Sequence, residues 1–427
     1  MNYSQRLNRV IPGGAHIYRQ GNDQYSENAP QILERGEGAY IYTPEGKKFL
    51  DYGMALHSVT LGYGNPSVTN AAVKQIGYGN DLTRPSLIEL QAAELMCNLI
   101  PSVEMVKFAK NESDVTTAAL KIARAYTGRK YIARCAQHPF FSFDNWFIGN
   151  TPVTKGIPEE DVQFTLNFNY NDIQSLQSLF DKYSGQIAGV ILEPATSEHP
   201  QNNFLQKAQE ACHKNGAMFI LDEMITGFRW HLSGAQAYYD IKPDLCIFGK
   251  SMANGFPVTA VGGKREIMNV GGIKEQGAER VFLLSTMYGA EMYGLGAFVE
   301  TIHFYKEHHV IDHLWSYGEK LTNGMNTIAK EMGLEKYFEI YGIPCSPNYM
   351  TKDKNDEVSM GLRTLFFQEM IKNGVLMPCI AISYAHGEIE LQRTLEATRK
   401  ALMAYAKGLD EGYEKYQGCN KISISKI

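Results

Sequence analysis

The chain lacks an excess of basic side chains. Its 427 residues include 41 Lys and Arg against 46 Asp and Glu, a net charge of −5, so we expect no nucleic-acid partner. No apolar run reaches the ~18 residues that a membrane-spanning helix needs. The first residues, MNYSQRLNRVIPGG, lack the charged and then apolar pattern of a signal peptide. These absences lead us to expect a cytoplasmic protein with no membrane partner.

Cysteine is scarce and irregularly spaced. The cysteines are odd in number and form no CxxC pair, so we expect reduced thiols rather than disulfides. The same spacing disfavours a zinc site, and we expect no metal. The seven residues are Cys97, Cys135, Cys212, Cys246, Cys345, Cys379 and Cys419.

Short apolar runs alternate with helical patterns from about residue 88 onward. The runs IAGVILEP, AMFILDEM and LCIFGK are typical of strands buried on both faces, and FLQKAQEACHKNG predicts a helix between two of them. This alternation indicates an α/β fold with a mostly parallel sheet. Before it, GAYIYTPEGKKFLDY predicts a hairpin that turns at PEG. After about residue 300 the pattern becomes helical, then strand-like, then helical, which indicates a smaller α+β unit.

Polar side chains stand at the ends of the three apolar runs: Glu193, Asp222 and Lys250. In open α/β sheets, ligands bind beyond the carboxyl ends of the strands. A lysine desolvated there can act as a Schiff-base nucleophile, and a carboxylate can hold a pyridinium nitrogen in its protonated form. Each residue alone also has an ordinary explanation, the lysine as a surface ion-pair partner and the aspartate as a helix N-cap.

A helix adds a place for a phosphate. The segment SDVTTAALKIARAYTGR predicts a helix with Ser113 as its N-cap and Gly128 beyond its C-terminal end. The unpaired N–H groups and positive dipole at its start can bind an anion. This feature carries little weight alone. Together with the lysine and the aspartate, it describes a site for pyridoxal 5′-phosphate.

The stretch LDEMITGFRWHLSGAQAYYDIKPDLCIFGKSMANGFPVTAVGGKREIM, residues 221–268, resembles the class III aminotransferases. It matches their pattern D-E-x-x-T-G-F-R, G-A-Q, K-P-D-L, G-K and G-x-P-V, with 28 residues from the aspartate to the lysine. Weaker similarity runs from IPGG at 11–14 to AHGEIELQRTLEA at 385–397. Within the family, the chain most resembles glutamate-1-semialdehyde 2,1-aminomutase and its relatives.

The resemblance implies a fold-type I pyridoxal phosphate transferase. We expect a large domain with a mostly parallel seven-stranded sheet at 61–300. A small α+β domain is expected from both chain ends, 1–60 and 301–427. The resemblance also implies a homodimer with shared active sites. The cofactor would be pyridoxal 5′-phosphate, with pyridoxamine 5′-phosphate as an intermediate of amino transfer.

The resemblance implies a role for each residue that matches a functional position of the family. Lys250 resembles the lysine that forms the Schiff base and moves the proton between the substrate Cα and the cofactor. Asp222 resembles the aspartate that pairs with the pyridine nitrogen, and Met224 the apolar residue on one ring face. Glu193 matches a glutamate near the ring. Thr286, in LLSTMYGAE, resembles the threonine that reaches the phosphate from the partner subunit.

Two cofactor-binding segments depart from the family pattern. The phosphate loop reads KNESDV at 110–115, so Asn111 and Ser113 flank Glu112 where a glycine is usual. A carboxylate near the phosphate repels it, so Glu112 either weakens cofactor retention or points to solvent, and we favour the outward orientation. In CAQHPFFSFDNW the usual tyrosine is absent. Either His138 or Phe140 covers the second ring face, or these aromatics pack a subunit interface.

Two arginines are candidates for substrate binding: Arg19 in AHIYRQ and Arg84 in NDLTRPS. An arginine suits a carboxylate or phosphate on the substrate, although a lone one is often a surface ion-pair partner. The variants KNxSD, HPFFS and TGFRWH resemble aminomutase-like proteins of polysaccharide biosynthesis. We therefore expect amino transfer between a donor and a sugar-derived or small acidic aldehyde or ketone. The alternatives are the aminomutase reaction and a non-catalytic protein with this fold.

Overall fold

A computed structural model of the chain describes residues 1–272, 281 and 283–418, which fall into two units. The first unit is built from both ends of the chain, Met1–Asn65 and the described residues from Asp312 onward. The second unit is Pro66–Ile311. The α/β fold with a mostly parallel seven-stranded sheet, expected from the sequence, is confirmed in the second unit.

The N-terminal part of the first unit contains a β-hairpin. Its strands β2 and β3 pair antiparallel with Tyr42 opposite Lys48, and the chain turns through Gly46 at a φ of 80°. The hairpin predicted at PEG is therefore confirmed. The elements of this part are α1 (Tyr3–Val10), β1 (Arg35–Glu37), β2 (Tyr40–Tyr42), β3 (Lys48–Asp51) and the single turn α2 (Met54–His57).

Turn α2 is left-handed. All four of its residues have positive φ, from 38° at Met54 to 71° at His57, a backbone that costs roughly 1–2 kcal/mol per non-glycine residue. The buried Asp51 carboxylate accepts hydrogen bonds from the N–H groups of Gly53 and Met54 at 2.8 and 3.0 Å and from the Tyr63 hydroxyl at 2.7 Å. These bonds hold the strained turn in place.

The second unit is organised around its sheet. The strands are β4 (Met105–Ala109), β5 (Tyr131–Cys135), β6 (Thr165–Phe168), β7 (Ile187–Leu192), β8 (Met218–Asp222), β9 (Leu245–Phe248) and β10 (Thr259–Gly263). Their order is β4-β10-β9-β8-β7-β5-β6, and β10 runs antiparallel to both neighbours. Strands β7 and β9 are buried at every residue, as their unbroken apolar sequences predict.

Helices cover this sheet. They are α3 (Pro66–Gly77), α4 (Leu87–Leu99), α5 (Glu112–Thr127), α6 (Asn145–Ile148), α7 (Glu159–Val162), α8 (Ile173–Lys182), α9 (Phe204–Lys214), α10 (Ala235–Tyr238), α11 (Arg265–Met268) and α12 (Met292–Glu307). Helix α5 packs against β7, β9 and β10. Its Val115 and Ala119 belong to one buried cluster with Ile191, Ile220 and Ile247 of the sheet. This packing fixes the helix against the strands that carry the candidate site.

The C-terminal part completes the first unit. Its elements are α13 (Val310–Glu331), β11 (Phe338–Ile343), β12 (Ser346–Thr351), α14 (Met360–Lys372), β13 (Val375–Leu376) and α15 (Glu388–Glu411). Strand β13 pairs parallel with β3, with Val375 opposite Leu50. The two ends of the chain therefore share one sheet, as expected for a small α+β unit made from both.

The start of α5 differs from the sequence prediction. The N-cap is Asn111 and the helix begins at Glu112, so Ser113 lies inside the first turn. Ser113 does not cap the helix: its hydroxyl accepts a hydrogen bond from the Phe143 N–H at 2.9 Å. Asparagine and serine are both good N-caps, and the sequence pattern does not choose between positions two residues apart.

The end of α5 gives a stability prediction. Gly128 closes the helix with a φ of 67°, which an alanine adopts only at a cost of about 1 kcal/mol. We expect Gly128→Ala to lower the urea midpoint of unfolding measured by circular dichroism. Gly77→Ala is the matched control, because Gly77 ends α3 without a positive φ and a Cβ at either position meets no atom within 4 Å. Equal loss in both variants would contradict the argument from φ.

Two expectations concern the whole chain. The six cysteines among the described residues form no disulfide bond with one another, and Cys419 lies outside those residues. Within residues 1–272 and 283–418, no helix is both long enough and apolar enough to cross a membrane.

Candidate active site

Three polar side chains meet at one edge of the large sheet. Glu193 directly follows β7, Asp222 ends β8, and Lys250 comes two residues after β9. These strands are neighbours and run parallel, so their carboxyl ends lie at the same edge. The structure thus brings together the three residues that the sequence singled out.

The ionisable groups at this edge of the sheet shift one another's pKa values. Burial raises the pKa of Glu193 to about 8 and the pKa of Asp222 well above its ordinary range, and the Lys250 ammonium opposes both rises. Repulsion from the Glu112 carboxylate raises the pKa of both groups further. Three carboxyl groups therefore face a single ammonium, and at neutral pH not all of them are charged.

Glu112 belongs to this cluster. It is the first residue of α5 and is only partly exposed. Burial raises the pKa of Glu112, and the nearby Lys250 ammonium lowers it. The outward orientation that we favoured from the sequence stays a prediction.

The two carboxylate oxygens of Asp222 differ in their hydrogen bonding. Oδ1 accepts the Met224 N–H at 2.9 Å, whereas Oδ2 is buried and has no hydrogen-bond partner among the described residues. The residue is only 1% exposed. A buried acceptor without a donor is costly, of order 1–3 kcal/mol. Such an oxygen is suited to a ligand that brings its own N–H.

Lys250 sits on a strained backbone next to Met224. Its φ is 42°, a conformation that costs a non-glycine residue of order 1–3 kcal/mol and is concentrated at functional sites. The preceding residue must be small, because a Cβ on Gly249 would clash with the Met224 sulfur and lie 3.0 Å from Cγ2 of Thr259. Met224 therefore packs against the residue that precedes the lysine.

His138 lies beside Glu193. Its Nδ1 accepts the Glu193 N–H at 2.9 Å, so in the neutral ring the proton is on Nε2, which is buried without a hydrogen-bond partner in the described part of the chain. Burial lowers the pKa of His138 to about 3, which keeps the ring neutral. Phe140, in contrast, is 38% exposed and packs edge-on against Phe147.

The start of α5 is tied to the lysine through β10. The Thr259 hydroxyl donates to the Asn111 carbonyl at 3.0 Å, and Thr259 is the residue that packs against position 249. The first N–H groups of α5 have no partner within the helix, so this edge also offers an anion-binding end. Asn111, Glu112 and Ser113 form it.

Three of the candidate residues are exposed. Thr286 and Arg84 are exposed in the second unit, and Arg19 is exposed on a 3₁₀ turn of the first unit. None of their side chains makes a hydrogen bond or ion pair within residues 1–272, 281 and 283–418. Their roles in binding therefore stay predictions.

Sequence reasoning missed Glu223. This carboxylate is fully buried and accepts hydrogen bonds from the N–H groups of Ala235 and Gln236 at 2.6 and 2.9 Å and from the Thr226 hydroxyl at 2.8 Å. It thereby ties the loop after β8 to α10. The sequence contains a signal for this residue, because Glu223 is the second acidic residue of the D-E pair that begins at Asp222. Because neighbouring residues of an extended chain point to opposite sides, Glu223 turns away from the site.

Glu223→Ala should lower the free energy of unfolding by about 3 kcal/mol, because it leaves the buried N–H groups of Ala235 and Gln236 without a hydrogen-bond acceptor. Glu223→Gln keeps one acceptor oxygen and should cost less. Thermal unfolding followed by circular dichroism measures both, with the exposed Glu210→Ala on α9 as the control. A loss no larger than that of the Glu210 variant would show that this network is not structural.

Comparisons with known proteins agree with this geometry. The family model "Aminotransferase class-III" matches residues 22–379. The chain is 32% identical over 421 residues to glutamate-1-semialdehyde 2,1-aminomutase of Alkaliphilus metalliredigens, covering 92% of this chain and 93% of the relative. It is 29% identical over 420 residues to the same enzyme of Francisella philomiragia, covering 93% and 96%.

A solved structure is also similar along nearly the whole chain. It is the pyridoxal phosphate internal aldimine form of the Sphingopyxis sp. MTA144 FumI protein, with a TM-score of 0.87 and 28% identity. The match covers 96% of this chain and 97% of that one. The residues present here fit such a cofactor at its ring end, since the unpaired Asp222 oxygen suits a protonated ring nitrogen and Lys250 stands near it. At the phosphate end, Glu112 adds a carboxylate.

Proposed function

Because the chain belongs to the class-III aminotransferases, a family of pyridoxal 5′-phosphate enzymes, we propose that it moves an amino group from a donor to a carbonyl acceptor. The acceptor class that we propose is a sugar-derived or small acidic aldehyde or ketone. The observation that carries the amino-transfer chemistry is the cluster of Lys250 and the unpaired Asp222 oxygen.

Each residue of the cluster has a task in this proposal. The bound cofactor supplies an electron sink for the charge that develops at the substrate Cα. Lys250 Nζ would hold the cofactor between turnovers and then carry the proton removed from Cα. Asp222 Oδ2 would accept a hydrogen bond from the protonated ring nitrogen. Met224 would pack against one ring face, and His138, whose Nδ1 accepts the Glu193 N–H, is the proposed contact for the other.

The aminomutase reaction is the second candidate, and the relatives' names support it. That reaction shifts the amine within one molecule and requires no external amino donor. Arg19 and Arg84 are the proposed contacts for an acidic group in either case. Turnover of glutamate-1-semialdehyde without added donor would favour the aminomutase, and turnover that depends on a donor would favour amino transfer.

A homodimer with shared sites is part of the proposal. Exposed large apolar side chains on α3 and α4 of the second unit support it: Val73, Ile76, Leu87 and Leu90. We place Thr286 in the partner's site, which accounts for its exposure. We also place the protein in the cytoplasm, a reducing compartment, because the cysteines among the described residues form no disulfide bond.

Mixing variants tests the shared site. When Lys250→Ala and Thr286→Ala protomers are dissociated and reassociated together, half of the dimers should be mixed, each with one intact site. Activity should then approach about a quarter of the wild-type value, above the mean of the two unmixed variants. No gain on mixing would place Thr286 outside the partner's site.

The visible absorption spectrum tests the function itself. The protein with saturating pyridoxal phosphate should show the band of a lysine-bound cofactor, and an amino donor such as L-glutamate should bleach it. Bleaching that an added keto-sugar or small acidic aldehyde reverses would identify the acceptor class. A protein that never shows the band would contradict the proposed function.

A further inference from the structure

Lys110 is a further polar residue at the edge of the sheet that carries the candidate site. It directly follows β4. Strand β10 runs antiparallel to both β4 and β9, so the carboxyl ends of β4 and β9 lie at the same edge. The next residue, Asn111, is the N-cap of α5, the helix end that offers N–H groups to an anion. Lys110 therefore adjoins the phosphate end of the site.

The Lys110 side chain is held by the segment that follows Thr286. Its ammonium forms an ion pair with the Glu291 carboxylate, whose side chain is only 14% exposed. The ammonium also lies 5.6 Å from the ring centroid of Tyr288 and 6.0 Å from that of Tyr293, within the range of cation–π attraction. Exposed ion pairs contribute little, but this pair joins a largely buried carboxylate to a cation with two aromatic neighbours. Lys110 therefore ties this segment to the end of β4.

Glu291 is itself a fixed partner. The Asn80 side-chain amide donates to Glu291 Oε1 at 3.4 Å, and the Asn80 carbonyl oxygen accepts the Met292 N–H at 2.8 Å. These bonds hold the start of α12, where Glu291 is the N-cap. Because the carboxylate is already positioned, Lys110 loses less side-chain entropy than it would in pairing with a mobile surface residue.

The position of the Thr286 hydroxyl depends on the turn formed by residues 286–289, here called the Thr286 turn. The Gly289 N–H donates to the Thr286 carbonyl oxygen at 3.2 Å and closes the turn. A Cβ on Gly289 would clash with Thr286 Oγ1 and would lie 3.6 Å from the Phe108 carbonyl oxygen of β4. The hydroxyl thus packs over the turn, and the turn lies against the strand that leads to Lys110.

We propose that Lys110 is a positioning residue for a shared active site: through Tyr288 and Glu291 it orders the Thr286 turn, which completes the phosphate site of the partner subunit. The inference rests on the proposed function, which places Thr286 in the partner's site. Lys110 of one chain then serves the cofactor of the other chain. Losing its ammonium should weaken the binding of a phosphorylated ligand about tenfold.

Two ligands that differ only by the phosphate provide the first test: pyridoxamine 5′-phosphate and pyridoxamine. Neither forms a covalent bond with Lys250, so calorimetric titration reports binding alone. Lys110→Ala should bind pyridoxamine 5′-phosphate about tenfold more weakly than the wild type and pyridoxamine with less than about a twofold change. Lys110→Arg keeps the charge and the contact with aromatic rings, so it should restore the affinity.

Lys121→Ala is the control for these titrations, because Lys121 is an exposed lysine of α5. It should alter neither affinity. Equal weakening of both ligands in Lys110→Ala would indicate a general loss of structure, and unchanged binding of both would show that the ammonium has no effect. Either result would overturn the inference.

Mixed dimers show which chain's site Lys110 serves. When Lys110→Ala and Lys250→Ala protomers are dissociated and reassociated in equal amounts, about half of the dimers should be mixed. In a mixed dimer the only Lys250 belongs to the Lys110→Ala chain, and the other chain supplies an intact Thr286 turn. About half of the band of lysine-bound pyridoxal phosphate should therefore appear at the wild-type concentration of free cofactor. A band that appears wholly at the raised concentration would place the effect of Lys110 in its own chain's site and overturn the inference.

Gly289→Ala tests the same turn without changing Lys110 or Glu291. Its Cβ displaces the Thr286 hydroxyl, so it should show the same preference for losing the phosphorylated ligand and the same recovery on mixing with Lys250→Ala. Wild-type affinity for pyridoxamine 5′-phosphate in this variant would contradict a role for the turn.

The outcomes separate this inference from the proposed function. Suppose that Lys110→Ala forms the band at the wild-type cofactor concentration while mixed Lys250→Ala and Thr286→Ala protomers gain activity. The proposed function then stands, and only the role of Lys110 is overturned. A wild-type protein that binds neither ligand and shows no band with pyridoxal phosphate would overturn both.

Discussion

Lys250→Ala should abolish the visible band of the lysine-bound cofactor and lower kcat by roughly 10⁴-fold or more, because no other group in the cluster can supply the amine. The variant should stay folded, since Lys250 is not part of a packed core and its strained φ of 42° suits alanine no worse. Absorption spectra and steady-state rates measure the two effects.

Lys242→Ala is the control for that variant, because Lys242 is exposed just before β9. It should keep both the band and the rate. Wild-type turnover by Lys250→Ala would contradict the assignment of the lysine, whatever the spectrum shows.

Asp222→Asn should lower the rate of amino transfer by about 10²- to 10⁴-fold. Removing one partner of a buried charged pair costs about 3–5 kcal/mol, and each 1.36 kcal/mol is a factor of ten in rate. Asparagine keeps an oxygen for the Met224 N–H, which is now 2.9 Å from Oδ1, but it cannot hold a protonated ring nitrogen. Asp222→Glu should retain part of the rate. Full activity in Asp222→Asn would exclude the ring-nitrogen role.

The same variant should stabilise the cofactor-free protein. Burial raises the pKa of Asp222 well above its unfolded value. Above about pH 4 the carboxyl therefore ionises in the unfolded chain but stays protonated in the folded protein, and the free energy of unfolding falls as pH rises. Asp222→Asn removes this cost, so its gain in melting temperature should grow with rising pH. Asp114→Asn, at a partly exposed acidic residue of α5, serves as the control. A gain that shrinks as pH rises would contradict the raised pKa.

The sequence was sufficient to predict the mostly parallel sheet and the polar residues at the carboxyl ends of its strands. Strands buried on both faces leave long apolar signals, and their carboxyl ends must meet, so the meeting of Glu193, Asp222 and Lys250 follows from local patterns. The resemblance to one family supplied the cofactor and the lysine's role. The sheet and the cofactor are confirmed by the sheet order and by the family match, and the lysine's role stays a prediction.

Other features depend on tertiary surroundings that a local pattern does not contain. The pKa of Glu112 depends on its burial and on Lys250, 138 residues later in the chain. The role of Glu223 depends on backbone donors that α10 presents to it. The roles of Thr286, Arg19 and Arg84 depend on a partner subunit or a substrate, and they stay predictions.

The most direct test of the central claim is to find which lysine bonds the cofactor. The protein is saturated with pyridoxal phosphate, reduced with borohydride to make the bond permanent, digested, and analysed by tandem mass spectrometry. We predict one phosphopyridoxyl group on the peptide that contains DLCIFGK, at Lys250, and none after prior conversion with an excess of amino donor. Modification of a different lysine, or no specific modification at saturation, would contradict the account.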